Sequence, residues 1–589
     1  MKPIDYVVMA AFFIVLFGVS AWVSRRRKTQ AEFFLAGKRL RWLAIGFSLI
    51  AINIGARYVI AFAGVGYRFG VIFGQYEVVS TLNILVLVFV LLPVYRASGI
   101  FTMPQLLRKR YGHSTHMIFS IVAIVSIFLT VPAGTAILSK TLAQVTGINM
   151  WVFVAVILPT CILVTVWGGL TSVAYTDMLM GVIIIGGAGL VSYRCLSHES
   201  VGGLVGMVEK IRVIEAAKPG TELLSGFRAG NPIPWSAVFS GIFIIGLWFW
   251  CIDQTKVQIL LGARTLNDGR RGAILLAVLK YLSAFLVFVP GLCGRILYPD
   301  LEDPDSLYGT LLRRLISPGM LGLVIAALSA AVISTLMALL NAAASMFTND
   351  IVKRLVSEET FERRAVLSSR LFMVAAVVPA LIGVLVYAQH KSVMELILKC
   401  YGLVAGPTLA AYLVGMFWRR ANARGANCGL IAGLAFSFGA EFLPLLTRID
   451  AIGYSRNPVV ALVSSVLTSV QSVNHHHRAL FAFFLSVAVV MVVSLLGQAP
   501  EPERLERTTF AWYRKRRREI EDLAATPDDH EGEPLRDPFY LDYRIWSILL
   551  LILLLVVWWV FGLPRVWTEF IPGWFRWIWT DVIPAWFKG

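Results

Sequence analysis

Apolar positions in this chain come in unbroken runs of about twenty residues separated by short polar stretches. The runs show no two-residue alternation, so they predict helices rather than strands. About fourteen are counted, at residues 5–24, 42–66, 75–97, 117–139, 150–168, 173–193, 235–260, 272–296, 318–349, 366–388, 394–418, 425–446, 479–497 and 545–562. Each is long enough to cross a hydrocarbon core of ~30 Å at ~1.5 Å per residue. The run at 318–349 exceeds that length, which predicts a tilt or an extension into water. The expected fold class is an all-α polytopic membrane protein.

The polar stretches alternate in charge. The first carries Arg25, Arg26, Arg27, Lys28, Lys38, Arg39 and Arg41, and every second one after it is again basic, as at Arg108–Arg110, Arg270 and Arg271, Arg363 and Arg364, Arg419 and Arg420, and Arg514–Arg518. Those between are poorer in Lys and Arg or carry acids such as Asp300, Glu302, Asp303 and Asp305. The positive-inside rule then predicts both termini outside a cell membrane. The first apolar run is too long for a signal-peptide core and is followed by four basic residues, so it predicts a retained helix.

Composition agrees with lipid as the main solvent. Hydrophobic residues make up 58% and charged residues 15% of the 589, against roughly 25% charged in soluble domains. A formal net charge of +18 would suggest nucleic acid on a soluble protein. Here the basic residues lie in short loops, where they orient the chain, and no nucleic-acid partner is expected. The six cysteines are scattered through apolar runs without a CxxC pair, so free buried thiols are expected. Residues 196–234 read as an outer loop and 499–544 as an inner segment, basic and then acidic. The tail with Trp574, Trp577, Trp579 and Trp586 reads as an interfacial anchor against lipid.

A polar side chain inside a span is costly and is a functional candidate. Asn53 followed by Gly55 in an apolar helix predicts a local break, where unwound backbone offers carbonyls to a cation and amides to a solute. Glu77 and Ser80 share a helix face, and the carboxylate can accept bonds from solute hydroxyls. Lys280 falls near mid-bilayer and needs an acid such as Glu77 or Asp253, a watery cavity, or the solute itself. Ser334 and Thr335, with Ala331 one turn earlier, offer an oxygen shell for a hard cation, although such hydroxyls commonly bond their own helix. Trp248, Phe249 and Trp250 precede Asp253 and Gln254, and such rings stack on sugars or close a pocket. The histidines 475–477 point different ways and predict no metal site. No phosphate loop, nucleophile elbow or zinc motif occurs, so no enzyme is expected.

Taken together, several stretches resemble the sodium/solute symporter family, in particular its sodium/glucose cotransporter-like branch. They are FFLAGK at 33–38, SLIAINIGA at 48–56, WGGLTSVAYTD at 167–177, WFWCIDQTKVQ at 248–258, PGLCGRILYPD at 290–300, and AALSAAVISTL at 326–336 running on to LNAAASMFTNDI at 340–351. The resemblance implies a LeuT-type fold with two inverted five-helix repeats at about 42–193 and 235–418. A first helix and loop at 1–41 would precede them, an outer loop at 194–234 would join them, and flanking helices at 419–498, an inner segment at 499–544 and a last helix with its tail at 545–589 would follow.

The resemblance further implies a sodium ion held by backbone oxygens of Ala51 and Ile54 with Ala331, Ser334 and Thr335, and a role in sodium passage for Asp177. Solute-binding positions correspond to Asn53, Tyr76, Glu77, Ser80, Lys280, Phe249, Trp250 and Gln254, with Tyr76 in the outer gate and Phe249 in the inner one. Arg57, Tyr58, Gly246 and Leu398 depart from the residues typical of sugar transporters, and an Arg57 that reaches the cavity would favour an acidic solute such as a sugar acid. The expected function is sodium-coupled import of a small polar solute, a sugar or sugar derivative. The rivals are a symporter of the same family for an amino acid or carboxylate, and a non-transporting membrane sensor on the same scaffold.

Overall fold

The computed structural model describes residues 1–24, 39–389 except 219 and 231, 393–448, 469–520 except 471, 542–560 and 562; within these, the side chains of 16, 17, 19–24, 56, 57, 163–179, 362 and 443–448 are not described. The basic cluster Arg25–Lys28, the side chains of Arg57 and Asp177, the acidic part of the segment 499–544 and the Trp-rich tail therefore lie outside the described residues.

The described chain is a helical bundle. Its elements are α1 (Pro3–Ser24), α2 (Trp42–Asn53), α3 (Ala56–Phe69), α4 (Gln75–Val86), α5 (Leu92–Ser98), α6 (Met103–Tyr111), α7 (His113–Thr146), α8 (Met150–Leu196) and α9 (Gly203–Ala217). They continue with α10 (Gly241–Cys251), α11 (Gln254–Leu261), α12 (Leu266–Leu297), α13 (Leu307–Leu315), α14 (Met320–Met346), α15 (Glu358–Ala375), α16 (Val377–Gln389) and α17 (Val393–Phe417). The last are α18 (Ala423–Arg448), α19 (His475–Leu496), α20 (Phe510–Lys515) and α21 (Tyr543–Val560).

Among the described residues, eight helical runs are long and apolar enough to span a bilayer, nine counting the bent pair Trp235–Cys251 and Gln254–Leu261. Shorter apolar helices at Pro3–Val15, Trp42–Asn53, Met150–Ile162 and Met180–Leu196 also lie on expected spans. The runs expected at 150–168 and 173–193 do not separate, because α8 continues as one helix of 47 residues. At ~1.5 Å per residue it rises about 70 Å, more than twice the hydrocarbon thickness. The sequence between them, Gly168–Ser172, has no proline, so nothing forces the ladder to stop.

α14 is the central strut. It packs on α8, α1 and α7, and its membrane window is almost wholly enclosed by protein. Its start is capped from a distance: Asp5 Oδ1 accepts the amides of Gly319 (2.6 Å) and Gly322 (3.0 Å), so α1 supplies the acceptor that the first turn of α14 lacks. Its far end passes into a π-turn at Phe347–Ile351. There the fully buried Asp350 accepts Thr102 Oγ1 at 3.0 Å and lies 3.0 Å from His116 Nε2, tying α14 to the starts of α6 and α7. α12 packs against α2 and α3, and α10 against α4. None of the six cysteines is in a disulfide.

Candidate functional site

Two helices break in the middle of the bundle. The first break is the one expected from Asn53 and Gly55. The α2 ladder ends with the Ile54 amide on Ile50 O (2.7 Å), Gly55 is extended at φ −61° and ψ 168°, and α3 restarts with Tyr58 N on Gly55 O (2.8 Å). The break rests on α14. Thr335 Oγ1 donates to Ala331 O (2.9 Å) and reaches Ile52 O at 3.4 Å. A Cβ on Gly55 would stand 2.7 Å from Thr335 Oγ1 and 3.5 Å from Ala331 O, so the close approach needs glycine.

Ala51, Ile54, Ala331, Ser334 and Thr335 are all buried at this junction. It offers carbonyl and hydroxyl oxygens, which suit a hard cation. Among the described residues no group of three or more His, Cys, Asp or Glu gathers as a metal cluster.

The second break separates α10 from α11, where the expected single span 235–260 bends by 44°. The amides of Ile252 and Asp253 both return to Trp248 O at 3.0 Å, and Tyr95 Oη caps the freed carbonyl of Cys251 at 3.0 Å. Asp253 then starts α11 by accepting Thr255 N at 2.9 Å. Lys256 Nζ bonds the same carboxylate at 3.1 Å and lies 3.7 Å from the Phe249 ring centroid. Each charge at this break thus has its partner.

Between the breaks is a cavity of about 70 Å³. Asn53, Tyr58 and Phe62 line it from the first broken helix, Tyr76 and Glu77 from α4, and Gly246, Phe249 and Trp250 from α10. Lys280 from α12 and Met394, Leu398 and Tyr401 from α17 complete most of the wall. Glu77 and Lys280 are 5% and 1% exposed and form a direct ion pair. Lys280 Nζ also sits 4.4 Å from the Trp250 ring centroid. Phe249 and Trp250 meet edge to face at 5.0 Å, and Tyr401 packs on Phe249 at 5.4 Å. Tyr76 Oη bonds Nε2 of the buried His476, whose Nδ1 lies 2.6 Å from Asn474 Oδ1.

Six of the eight solute-binding candidates therefore line one cavity: Asn53, Tyr76, Glu77, Lys280, Phe249 and Trp250. Ser80 is buried beside them and donates to Glu77 O at 2.6 Å. Gln254 is not brought there. Its Oε1 accepts Met103 N at 2.7 Å and its Nε2 donates to Gln258 Oε1 at 3.2 Å, because the bend at Asp253 carries α11 away. The departures Tyr58, Gly246 and Leu398 all line the cavity. The Asp177 and Arg57 side chains are among those not described. Sequence reasoning missed Met394 and Tyr401, which carry no signal in an apolar span. It also missed the bond from His476 to Tyr76, since partners some 400 residues apart share no local pattern.

Two mid-bundle helix breaks around a cavity that holds a buried ion pair are the arrangement of many secondary transporters. The profile of the sodium:solute symporter family matches residues 33–433. Sodium/glucose cotransporter 4 of Mus musculus is 29% identical over 545 residues, covering 87% of this chain and 78% of the relative. Sodium/myo-inositol cotransporter 2 of Oryctolagus cuniculus is 28% identical over 557 residues, covering 88% and 80%. A solved Na+-coupled sialic acid symporter in a substrate-bound, outward-open state superposes with a TM-score of 0.72 at 20% identity, over 85% of this chain and 99% of that one, and so shares the LeuT-type fold. The chain belongs to the sodium:solute symporter family. It is a multi-pass membrane protein, and sodium is its coupling ion.

Proposed function

We propose that the cavity binds a neutral sugar or polyol, which the protein imports together with sodium by alternating access. The observation that carries this reading is the Glu77–Lys280 pair in the wall that Asn53 also lines, with the Trp250 ring over the ammonium. A paired carboxylate and ammonium present an acceptor and donors to hydroxyl groups without leaving a net charge to be matched. Lys280 is the one cation among the described side chains lining the cavity, and it is already neutralised, which favours a neutral solute over a sugar acid. The kinship to cotransporters named for glucose and myo-inositol supports the same class.

In this reading Ala51 and Ile54 give backbone oxygens, and Ala331, Ser334 and Thr335 complete the sodium shell across the first break. Filling that shell orders the α2–α3 junction, which places Asn53 at the cavity. Tyr76 closes one side and Phe249 with Trp250 the other, and differential ion binding supplies the coupling. Asp177 serves sodium passage. Residues 42–193 and 235–418 act as the two inverted repeats, each carrying one break near its start. Both termini face outside, and the segment 499–544 lies inside.

Uptake of radiolabelled glucose, myo-inositol and a sugar acid into proteoliposomes tests the proposal. Sodium-gradient-driven accumulation of a neutral solute is expected. Uptake unchanged when choline replaces sodium, or restricted to amino acids or carboxylates, would refute it.

A further inference from the structure

α4 carries a second amide near the cavity. Asn83 lies seven residues after Tyr76 and three after Ser80, on one helix face. It is fully buried, yet neither its side-chain oxygen nor its side-chain nitrogen has a hydrogen-bond partner. Its backbone is engaged, with Cys251 Sγ on Asn83 O at 3.4 Å, so it is the side chain alone that is left over. A buried amide without partners costs about 1–3 kcal/mol, so an arrangement that leaves both ends open calls for an explanation.

The explanation lies across the α4–α10 contact. A Cβ built on Gly246 would fall 2.0 Å from Asn83 Nδ2. The amide therefore occupies the space into which any side chain at 246 would project, and Gly246 is itself part of the cavity wall. Position 246 is also one of the departures from residues typical of sugar transporters. Asn83 thus stands directly behind a glycine of the wall, and the wall itself holds another orphan: Asn53, whose Nδ2 is likewise buried without a partner. Two unpaired amides, one before and one after Glu77 along the chain, suit a ligand rich in hydroxyls, each of which both donates and accepts.

We propose that Asn83 is a solute-reading residue, whose side-chain amide stands in for the missing side chain at position 246 and exchanges hydrogen bonds with one hydroxyl of the bound sugar or polyol. The inference rests on the sugar or polyol reading of the cavity. It adds a specificity contact from α4, and it explains why glycine at 246 does not leave that wall without a polar group.

The full-length transporter in detergent and in proteoliposomes provides the test, with glucose, myo-inositol and their monodeoxy analogues as probes. Asn83→Leu keeps the volume and removes the amide. Without solute it is expected to melt at or above the wild-type temperature, because two unpaired polar atoms are gone. With the preferred solute, KM is expected to rise about tenfold, the size of one net hydrogen bond. The wild-type preference for that solute over one particular monodeoxy analogue should vanish, while the sodium half-saturation holds.

Gly246→Ala leaves Asn83 in place but displaces its amide, and is expected to lose the same discrimination. If both variants rank the deoxy series as the wild type does, Asn83 is not a solute contact. If Asn83→Leu does not fold, the deoxy ranking of Gly246→Ala decides alone. Failure of the sugar reading looks different: the wild type itself would then show no sodium-driven uptake of any sugar or polyol.

Discussion

The carboxylate of Glu77 on α4 holds the ammonium of Lys280 on α12 inside the bundle, with the Trp250 ring over the same nitrogen. Neither residue is stable there alone. Taking an ion out of water costs several kcal/mol, and only a partner of opposite charge offsets it.

Removing one member is therefore expected to be worse than removing both. Lys280→Met strands the carboxylate and should lower stability by about 3–5 kcal/mol. The double variant Glu77→Leu with Lys280→Met should recover most of the melting temperature but no sodium-driven uptake. Thermal unfolding in detergent beside vesicle uptake checks both halves.

At the first break, Thr335→Ala removes the hydroxyl that reaches both Ala331 O and Ile52 O. The sodium concentration for half-maximal uptake should rise about tenfold or more, the equivalent of roughly 1.4 kcal/mol. Ser334→Ala should act in the same direction. Solute KM at saturating sodium should move little. An unaltered sodium dependence in the double variant would take both hydroxyls out of the ion's shell.

Tyr76 and His476 share one bond across the α4–α19 contact. Tyr76→Phe leaves the buried imidazole without that partner, and His476→Leu leaves the phenol, each at a cost of about 1–3 kcal/mol. The double variant should be scarcely worse than either single one. Uptake and melting temperature in a double-mutant cycle measure that coupling.

Asp305 lies in the 3₁₀ turn Pro304–Ser306 between α12 and α13, where its Oδ2 accepts Val393 N at 3.3 Å at the start of α17. Burial pushes its carboxyl up to about 6 from an ordinary value of 3.8. Between those two values the folded protein binds the proton more tightly than the unfolded chain. Its contribution to stability is thus greatest below pH ~4 and is lost as pH rises through ~6. Asp305→Asn keeps an acceptor for the amide and should flatten that slope. Melting temperatures of the two proteins across pH 4 to 7.5 decide it.

The parts of this fold that announce themselves do so through exceptions to apolarity. Asn53 with Gly55 marks the first break because both are poor residues for an apolar helix interior. Glu77 and Lys280 stand out because lipid forbids unpaired charge. The second break was hidden. Asp253 suits a partner for Lys280 and Gln254 corresponds to a solute-binding position, yet Asp253 is the N-cap that starts a new helix, and so Gln254 turns away from the cavity. Hydrophobic lining such as Met394 and Tyr401 cannot be told from core by pattern, because in both cases the neighbours are apolar. The continuity of α8 is equally illegible, since the glycines, Thr171 and Ser172 between the two apolar runs are compatible with either a loop or a helix.

Gly55 and Gly246 each mark a place where a wall of the site is set by an atom that is not there. A methyl group at the first would collide with the hydroxyl that spans the break, and at the second with the amide beside the cavity. For this protein the gravest inherited lesions need not be large or charged. An exchange of glycine for alanine, the addition of one methyl group, would fall on the proposed seat of the ion in one case and on that of the solute in the other, while leaving the surrounding helices intact.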